Sequence, residues 1–525
     1  MMGVMTMNKI RVVLCFIALL AFGILSEPAV KADDNSQKVL LVYDSKDHIH
    51  QGEQRIDSLQ RILTGMNLKV KTEKASDYKK GELQKGYAGV ITLINWDKAG
   101  LMNQSFEKDR EEYDGIKLHI GEGITPQELQ QLDAKVDKIY QKQLTLTVDE
   151  NSQQLPFSQT MEPLVDIPKN AQVIGKLVTQ EKNQDEYNYG VINGKNGYLP
   201  FFEAKSLSLL SATKLITQLF KNNQTFKPLL TFTGVSPYTD MEILDELSAY
   251  CEKMDIPFAI STVSVAKNTE MQAFNRFAIS LRRIEDRNGL IFLNAPVIGG
   301  ATKDTGTELS GLFDGYLLNL ARQGVYPVGI STPGFWNQDQ ILRQNALKKA
   351  NTWMLLPNST AKMMNLNVDN NSSVAKKSYY AVNASSIDTI KNRAELRFNI
   401  PTAVTIAMPN SSVKLRNVKE QIRKLDLNWE NPSQIEFESR INFASSKLSY
   451  KLGQYFVNES PVEINVNSKD KNTINNTTST KNKVLLKDFF HVQGRIITVI
   501  FVVIFIVLIV FIFIGRKIYR NKFKR

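Results

Sequence analysis

The chain has 525 residues, 42% of them hydrophobic, which is room for several domains with real cores and excludes a disordered protein. Its formal charge of +12 is concentrated at the ends. The last ten residues carry six positive charges, the first 32 a net two, and the remainder only +4, so the basicity does not mark a nucleic-acid binder.

At the N-terminus, Lys9 and Arg11 precede the apolar run Val12 to Leu25, and Val30-Lys31-Ala32 offers small residues at the −3 and −1 positions of a cleavage site. Residues 1–32 are therefore expected to be a signal peptide. Of the two cysteines, Cys15 lies in this leader and Cys251 in a helix at core spacing beside Leu247 and Met254, where a packed thiol is expected. An exported chain without an intrachain disulfide must be held by its core.

Lys38-Val-Leu-Leu-Val-Tyr43 reads as a buried strand, followed by a helix over Gln54 to Met66 and strand candidates Leu68 to Thr72, Val90 to Ile94 and Ile116 to Ile120. Alternating short β runs and helices predict a leading α/β domain over 38–140 with a mainly parallel, flavodoxin-like sheet. Thr125-Pro126-Gln127-Glu128 is a capping box with proline at the first helical position. From 141 to 222 the pattern turns to short strands and turns and predicts a small β-rich subdomain.

A second βα series starts near Pro228. Strands are expected at Leu229 to Phe232, Phe258 to Ser261, Leu290 to Asn294, Tyr326 to Ser331, Trp353 to Leu356 and Ala403 to Ala407. Helices are expected over Asp240 to Met254, Glu270 to Asp286, Glu308 to Gln323, Gln338 to Ala350 and Val413 to Leu425. Repeats of about 30 residues predict a βα barrel over 225–430, with 360–396 unplaced and edge strands over 431–464. The Asn/Thr/Ser/Lys-rich stretch 465–490 reads as a flexible stalk. Ile496 to Gly515 is uncharged and at 1.5 Å per residue spans roughly 30 Å, the thickness of the bilayer core. The basic tail 516–525 then orients a single-pass membrane protein with its N-terminus outside and its C-terminus cytoplasmic.

Thr231-Phe-Thr-Gly-Val-Ser-Pro237, Ile256-Pro-Phe258, Ile291-Phe-Leu-Asn-Ala-Pro-Val-Ile298 and Tyr326-Pro-Val-Gly-Ile-Ser331 with Pro333-Gly-Phe-Trp336 stand in the order of a known pattern. This order resembles the polysaccharide deacetylase family, in particular a divergent branch found with bacterial exopolysaccharide systems. The resemblance implies a deacetylase-like barrel whose chemistry uses one Asp as base, with a second Asp and two His holding a metal that generates hydroxide. Thr233 and Gly234 occupy the two Asp positions here, and Asn294 and Ile298 the two His positions. The chain's four histidines, His48, His50, His119 and His491, all lie outside 225–430, so no other register supplies the missing imidazoles.

The resemblance thus implies a pseudoenzyme without catalytic residues, metal or cofactor. Its partner is expected to be an extracellular polysaccharide or the complex that makes and exports it. Trp336, Phe335 and Tyr316 are candidates to line a glycan groove. Two alternatives stay open: a hydrolase acting through Asp44, His48 and His50 at the end of the first strand, and a surface adhesion protein.

Overall fold

A computed structural model describes residues 37–466, apart from 47–50, 97–100, 102, 158–159, 182–184, 266–267, 297–301, 351, 357–370 and 374. The segments 1–32 and 496–515, with His48, His50 and Ile298, lie outside the described residues. Among the described residues no helix is long and apolar enough to cross a membrane.

The leading layer is a mixed sheet of nine strands among the described residues. β1 (Lys38–Tyr43) lies between β2 (Lys69–Lys74) and β3 (Gly89–Leu93), with β4 (Ile116–Ile120) beyond, all parallel. Helix α1 (Gly52–Gly65) joins β1 to β2, α2 (Gln104–Glu112) joins β3 to β4, and α3 (Pro126–Leu132) follows. The predicted capping box opens α3: Thr125 Oγ1 accepts from the Glu128 amide and the Glu128 carboxylate accepts from the Thr125 amide.

Residues 141–222, expected to form a small β-rich subdomain, are largely strand and continue this sheet. β5 (Leu144–Val148), β6 (Asn151–Gln154), β7 (Gln172–Thr179), β8 (Glu186–Asn193) and β9 (Asn196–Leu199) are antiparallel to one another, and β9 docks parallel to β4. Gly197 permits the junction, because a Cβ there would stand 2.9 Å from Leu219 and 3.1 Å from Leu118. Helix α4 (Ser206–Leu219) covers the extension with Leu209, Ala212, Leu215 and Ile216.

The second layer is a closed barrel of seven parallel strands, β10 (Leu229–Val235), β11 (Phe258–Thr262), β12 (Leu290–Asn294), β13 (Gly329–Ser331), β14 (Trp353–Leu356), β15 (Lys377–Asn383) and β16 (Thr402–Ala407). Helices α5 (Met241–Lys253), α6 (Gln272–Asp286), α7 (Lys303–Arg322), α8 (Gln340–Asn345) and α9 (Ser412–Leu425) pack outside. The helix expected over Gln338 to Ala350 is cut to α8 with a 3-10 turn on each side. The two-residue period of each strand sorts the core. Leu229, Ala259, Phe292, Trp353, Leu355, Tyr379 and Ala403 point into the barrel, while Leu230, Ile260, Ile291, Leu293, Met354 and Val404 meet the helices.

The stretch 431–464, expected to add edge strands, forms its own antiparallel sheet of β17 (Ser439–Phe443), β18 (Ser446–Lys451), β19 (Gln454–Val457) and β20 (Ser460–Val462). Tyr450 and Tyr455 of this sheet share a buried cluster with the barrel interior, so it caps the amino-terminal end of the barrel. The leading layer grips the barrel through α1, where Ser58 Oγ lies 2.7 Å from the Tyr380 hydroxyl and the Arg61 guanidinium stacks 4.3 Å from the Tyr380 ring.

Candidate functional site at the barrel mouth

In a parallel barrel every strand ends at the same face, and side chains at strand ends with inward parity form its floor. One inward series runs Leu229, Thr231, Thr233; its neighbours run Ala259 to Ser261, Phe292 to Asn294 and Gly329 to Ser331. Thr233, Ser261, Asn294 and Ser331 therefore meet at the carboxyl mouth. The Ser261 hydroxyl donates to Asn294 Oδ1 at 2.7 Å and lies 2.9 Å from Ser331 Oγ. A hydroxyl has one proton to give, so Ser331 donates back to Ser261. The result is a neutral hydrogen-bonded tier across three strands, with the two amide donors of Asn294 left for the mouth.

Beside the tier, β10 changes register between Phe232 and Val235, a bulge at Thr233–Gly234. The Thr233 carbonyl accepts from the Met408 amide at 2.8 Å, and the Val235 carbonyl accepts from the Val263 amide at 3.0 Å. Gly234 has φ near +79° with open space where a side chain would be, a conformation that a residue with a Cβ adopts only with strain. The loop then turns at Ser236–Thr239, and Asp240 caps α5 by accepting from the amides of Glu242 and Ile243. On that loop Tyr238 is 98% exposed.

Tyr238 is the residue that sequence reading passed over, since one tyrosine in a turn makes no pattern. Ser261 and Ser331 were also passed over, although both follow a small residue by two positions on a strand.

The proposed groove aromatics have other surroundings. Tyr316 is 1% exposed, and its hydroxyl donates to the Val263 carbonyl at 3.3 Å. Trp336 is 8% exposed and packs into the main core cluster, so neither ring presents a free face to a ligand. Phe335 lies with it in a 3-10 turn. Cys251 is a free buried thiol, as expected, and burial pushes its pKa up to about 12, away from any nucleophilic thiolate.

Asp44 sits at the carboxyl end of β1, where the chain turns first to β2 and then to β3, the place at which doubly wound sheets hold ligands. Its carboxylate is occupied by the protein itself. Oδ1 accepts from the Asn95 amide at 2.8 Å and Oδ2 from the Trp96 amide at 2.9 Å, with the Ser45 hydroxyl at 3.3 Å. Burial raises its pKa, opposed by those backbone amides. Asp44 thus pins the loop after β3. Asp44→Ala is expected to lower folding stability by about 2 kcal/mol, because two inward amides lose their acceptor; urea unfolding measures this.

His119 lies on β4, between the Glu128 carboxylate (3.0 Å) and the Glu122 carbonyl (3.1 Å). The Glu128 carboxylate also pairs with Arg110. Burial first, and then the Arg110 charge, push the His119 pKa down to about 3. The backbone groups of Glu122 and Gly121 oppose the shift without reversing it. Among the described residues no group of three His, Cys, Asp or Glu side chains is placed to hold a metal ion.

No family model matches the chain, and no curated protein matches it. Among solved structures it is similar to a ThuA-like protein from Bacteroides uniformis (16% identity, TM-score 0.24, covering 34% of this chain and 86% of that one). It is also similar to a mutant of a CE4 family pseudoenzyme with restored enzymatic activity (10% identity, TM-score 0.20, 57% and 91%). A third is phospho-2-dehydro-3-deoxyheptonate aldolase from Thermotoga maritima (7% identity, TM-score 0.21, 58% and 93%). At these scores the likenesses are partial and assign no activity to this chain.

Proposed function

We propose that the protein is a membrane-anchored, non-catalytic barrel that binds a neutral stretch of an extracellular polysaccharide during its assembly or export. The observation that carries this reading is the tier of Ser261, Asn294 and Ser331, which fills the barrel mouth with uncharged donors and acceptors. Hydroxyl and carboxamide groups suit sugar hydroxyls and acetamides. They are poor ligands for the transition metal that amide hydrolysis by a deacetylase-like site requires.

Tyr238, on the loop that follows β10, holds its ring in solvent, as a stacking platform would. Anchoring by 496–515, with the barrel outside the cell, follows from the sequence and belongs to the same proposal.

Glycan-array binding by the full-length chain in detergent tests it. Tyr238→Ala is expected to weaken the best ligand by about threefold to tenfold, the worth of one ring face. Asn294→Ala, which removes the mouth's amide donors, is expected to weaken it further. Metal-dependent release of acetate from an acetylated amino-sugar polymer would overturn the non-catalytic reading. An array profile unchanged in both variants would remove the mouth as the binding site.

A further inference from the structure

Two adjoining cavities lie away from the mouth. One, of about 500 Å³, opens where α1 and α4 end and where β15 and β16 begin, with Asn67, Lys221, Gln224, Lys376 and Asn399 in its lining. The other, of about 460 Å³, is lined among others by Gln172, Gln218 and Asn223, and Lys221 lines it as well. The two cavities therefore flank one stretch of chain, 218–224. That stretch is fastened at both ends: the Asn222 amide donates to the Thr217 carbonyl at 2.8 Å, and Phe226 exchanges backbone hydrogen bonds with Phe398 at 2.8 and 2.9 Å. The walls are set before any ligand arrives, as binding sites usually are.

Their linings are alike in chemistry. Neither has an acidic residue among its described lining residues, whereas the cavities at Asp388 and at Glu285 carry three each. Lys221 and Lys376 are exposed and have no ion-pair or hydrogen-bond partner among the described residues. Lys377, also in the lining, is neutralised by Glu430. The carboxyl ends of α1 and α4 oppose an anion, but capping amides take up part of that charge, Leu68 on the Leu63 carbonyl and Asn222 on the Thr217 carbonyl. The two free lysines leave a positive site. The side-chain amides of Asn67, Gln224, Asn399, Gln172, Gln218 and Asn223 likewise make no hydrogen bond within the described chain. A carboxamide donates and accepts at once, as a sugar hydroxyl does. Phe226 and Phe437 add apolar surface to the first cavity, suited to the C–H face of a sugar ring.

We propose that these paired cavities form a second binding site, which takes an acidic saccharide chain through Lys221, Lys376 and the surrounding carboxamides. The lysines supply point charges for carboxylates on the sugar, and the carboxamides meet its hydroxyls. The site is argued from its own lining and differs from the mouth in sign: the mouth tier is uncharged, and this site is positive.

Titration calorimetry of the full-length chain in detergent with tri-galacturonate tests this, beside its methyl-esterified form and a glutamate oligomer of equal charge. Saturable binding is expected for tri-galacturonate, weakening about tenfold as salt rises from ~0.05 to ~0.5 M. The ester, which lacks the charge, and the glutamate oligomer, which lacks the hydroxyls, should each bind at least about tenfold more weakly. Lys221→Gln combined with Lys376→Gln should weaken tri-galacturonate by about threefold to tenfold. In the parent chain, bound tri-galacturonate should slow acetylation of Lys221 and Lys376, read by mass spectrometry, so the site is tested even where the double variant fails to fold. Absence of saturable binding, or no protection of either lysine, would overturn the proposal. Equal binding of the ester would overturn the acidic ligand, and equal binding of the glutamate oligomer would overturn the saccharide. Saturating the mouth with its own array ligand should leave tri-galacturonate binding unchanged; competition would place both in one site and overturn the second. Failure here leaves the array result at the mouth standing, and failure there leaves this one.

Discussion

Trp353→Ala is expected to lower folding stability by about 3–5 kcal/mol, the range for truncating a large aromatic in a close-packed interior. Trp353 opens β14 with inward parity and is fully buried. Its ring meets Tyr450 of the capping sheet and Phe437, two residues before that sheet, edge-on, with centroids 6.0 Å and 6.2 Å away. The same side chain therefore fills the bottom of the barrel and seats the sheet that closes it. Two consequences separate this from an ordinary cavity. Denaturant unfolding should show a lower midpoint, and amide exchange in β17–β20 should rise more than in β1–β4, because the capping sheet loses its anchor while the leading sheet does not. Trp336→Ala, on the 3-10 turn after β13, should destabilise the chain as a core truncation, and a loss of stability there reports on packing rather than on glycan binding.

The barrel was largely legible in the sequence because its strands are buried on both faces and read as short apolar runs. Leu229 to Phe232, Phe258 to Ser261 and Leu290 to Asn294 each fall within an observed strand. β15 was not placed, and the reason is chemical. Its inward positions carry Lys377 and Tyr379, polar groups that interrupt the apolar signal and whose side-chain hydrogen-bond partner among the described residues is Glu430, far along the chain. The union of 141–222 with the leading sheet was equally hidden, since the parallel pairing of β9 with β4 is a long-range contact with no local mark.

The site was legible in part. Resemblance pointed to Thr233 and Asn294, and the structure places both on the mouth's inward face. The partners of Asn294 needed strand parity across three strands, which a linear reading applies only once the strands' inner face is known. The aromatic candidates show the limit of residue type as a guide: Tyr316 and Trp336 are buried, whereas exposed Tyr238 stands in a turn where any polar residue would have drawn equal notice.

The second large effect concerns the ion pair that hid β15. The Glu430 carboxylate accepts from the Lys377 ammonium and, at 2.8 Å, from the Tyr379 hydroxyl, all at the barrel base. Glu430→Ala is expected to cost about 3–5 kcal/mol near neutral pH, since it leaves a buried ammonium without its counter-charge. Burial already lowers the Lys377 pKa, and Glu430 is what opposes that shift. Without Glu430 the folded-state pKa falls further, while the unfolded chain titrates near 10.4, so between the two values the unfolded state holds the extra proton. Stability of Glu430→Ala should therefore rise with pH toward about 10.4, more steeply than that of the parent chain, and urea midpoints at pH ~7 and ~9.5 measure the slope. Replacing all three partners with apolar groups of similar size, Lys377→Met, Tyr379→Phe and Glu430→Leu, should recover most of the loss and remove the slope, because no charge is then left to desolvate. A slope that persisted in the triple variant would trace the pH dependence to a group other than Lys377.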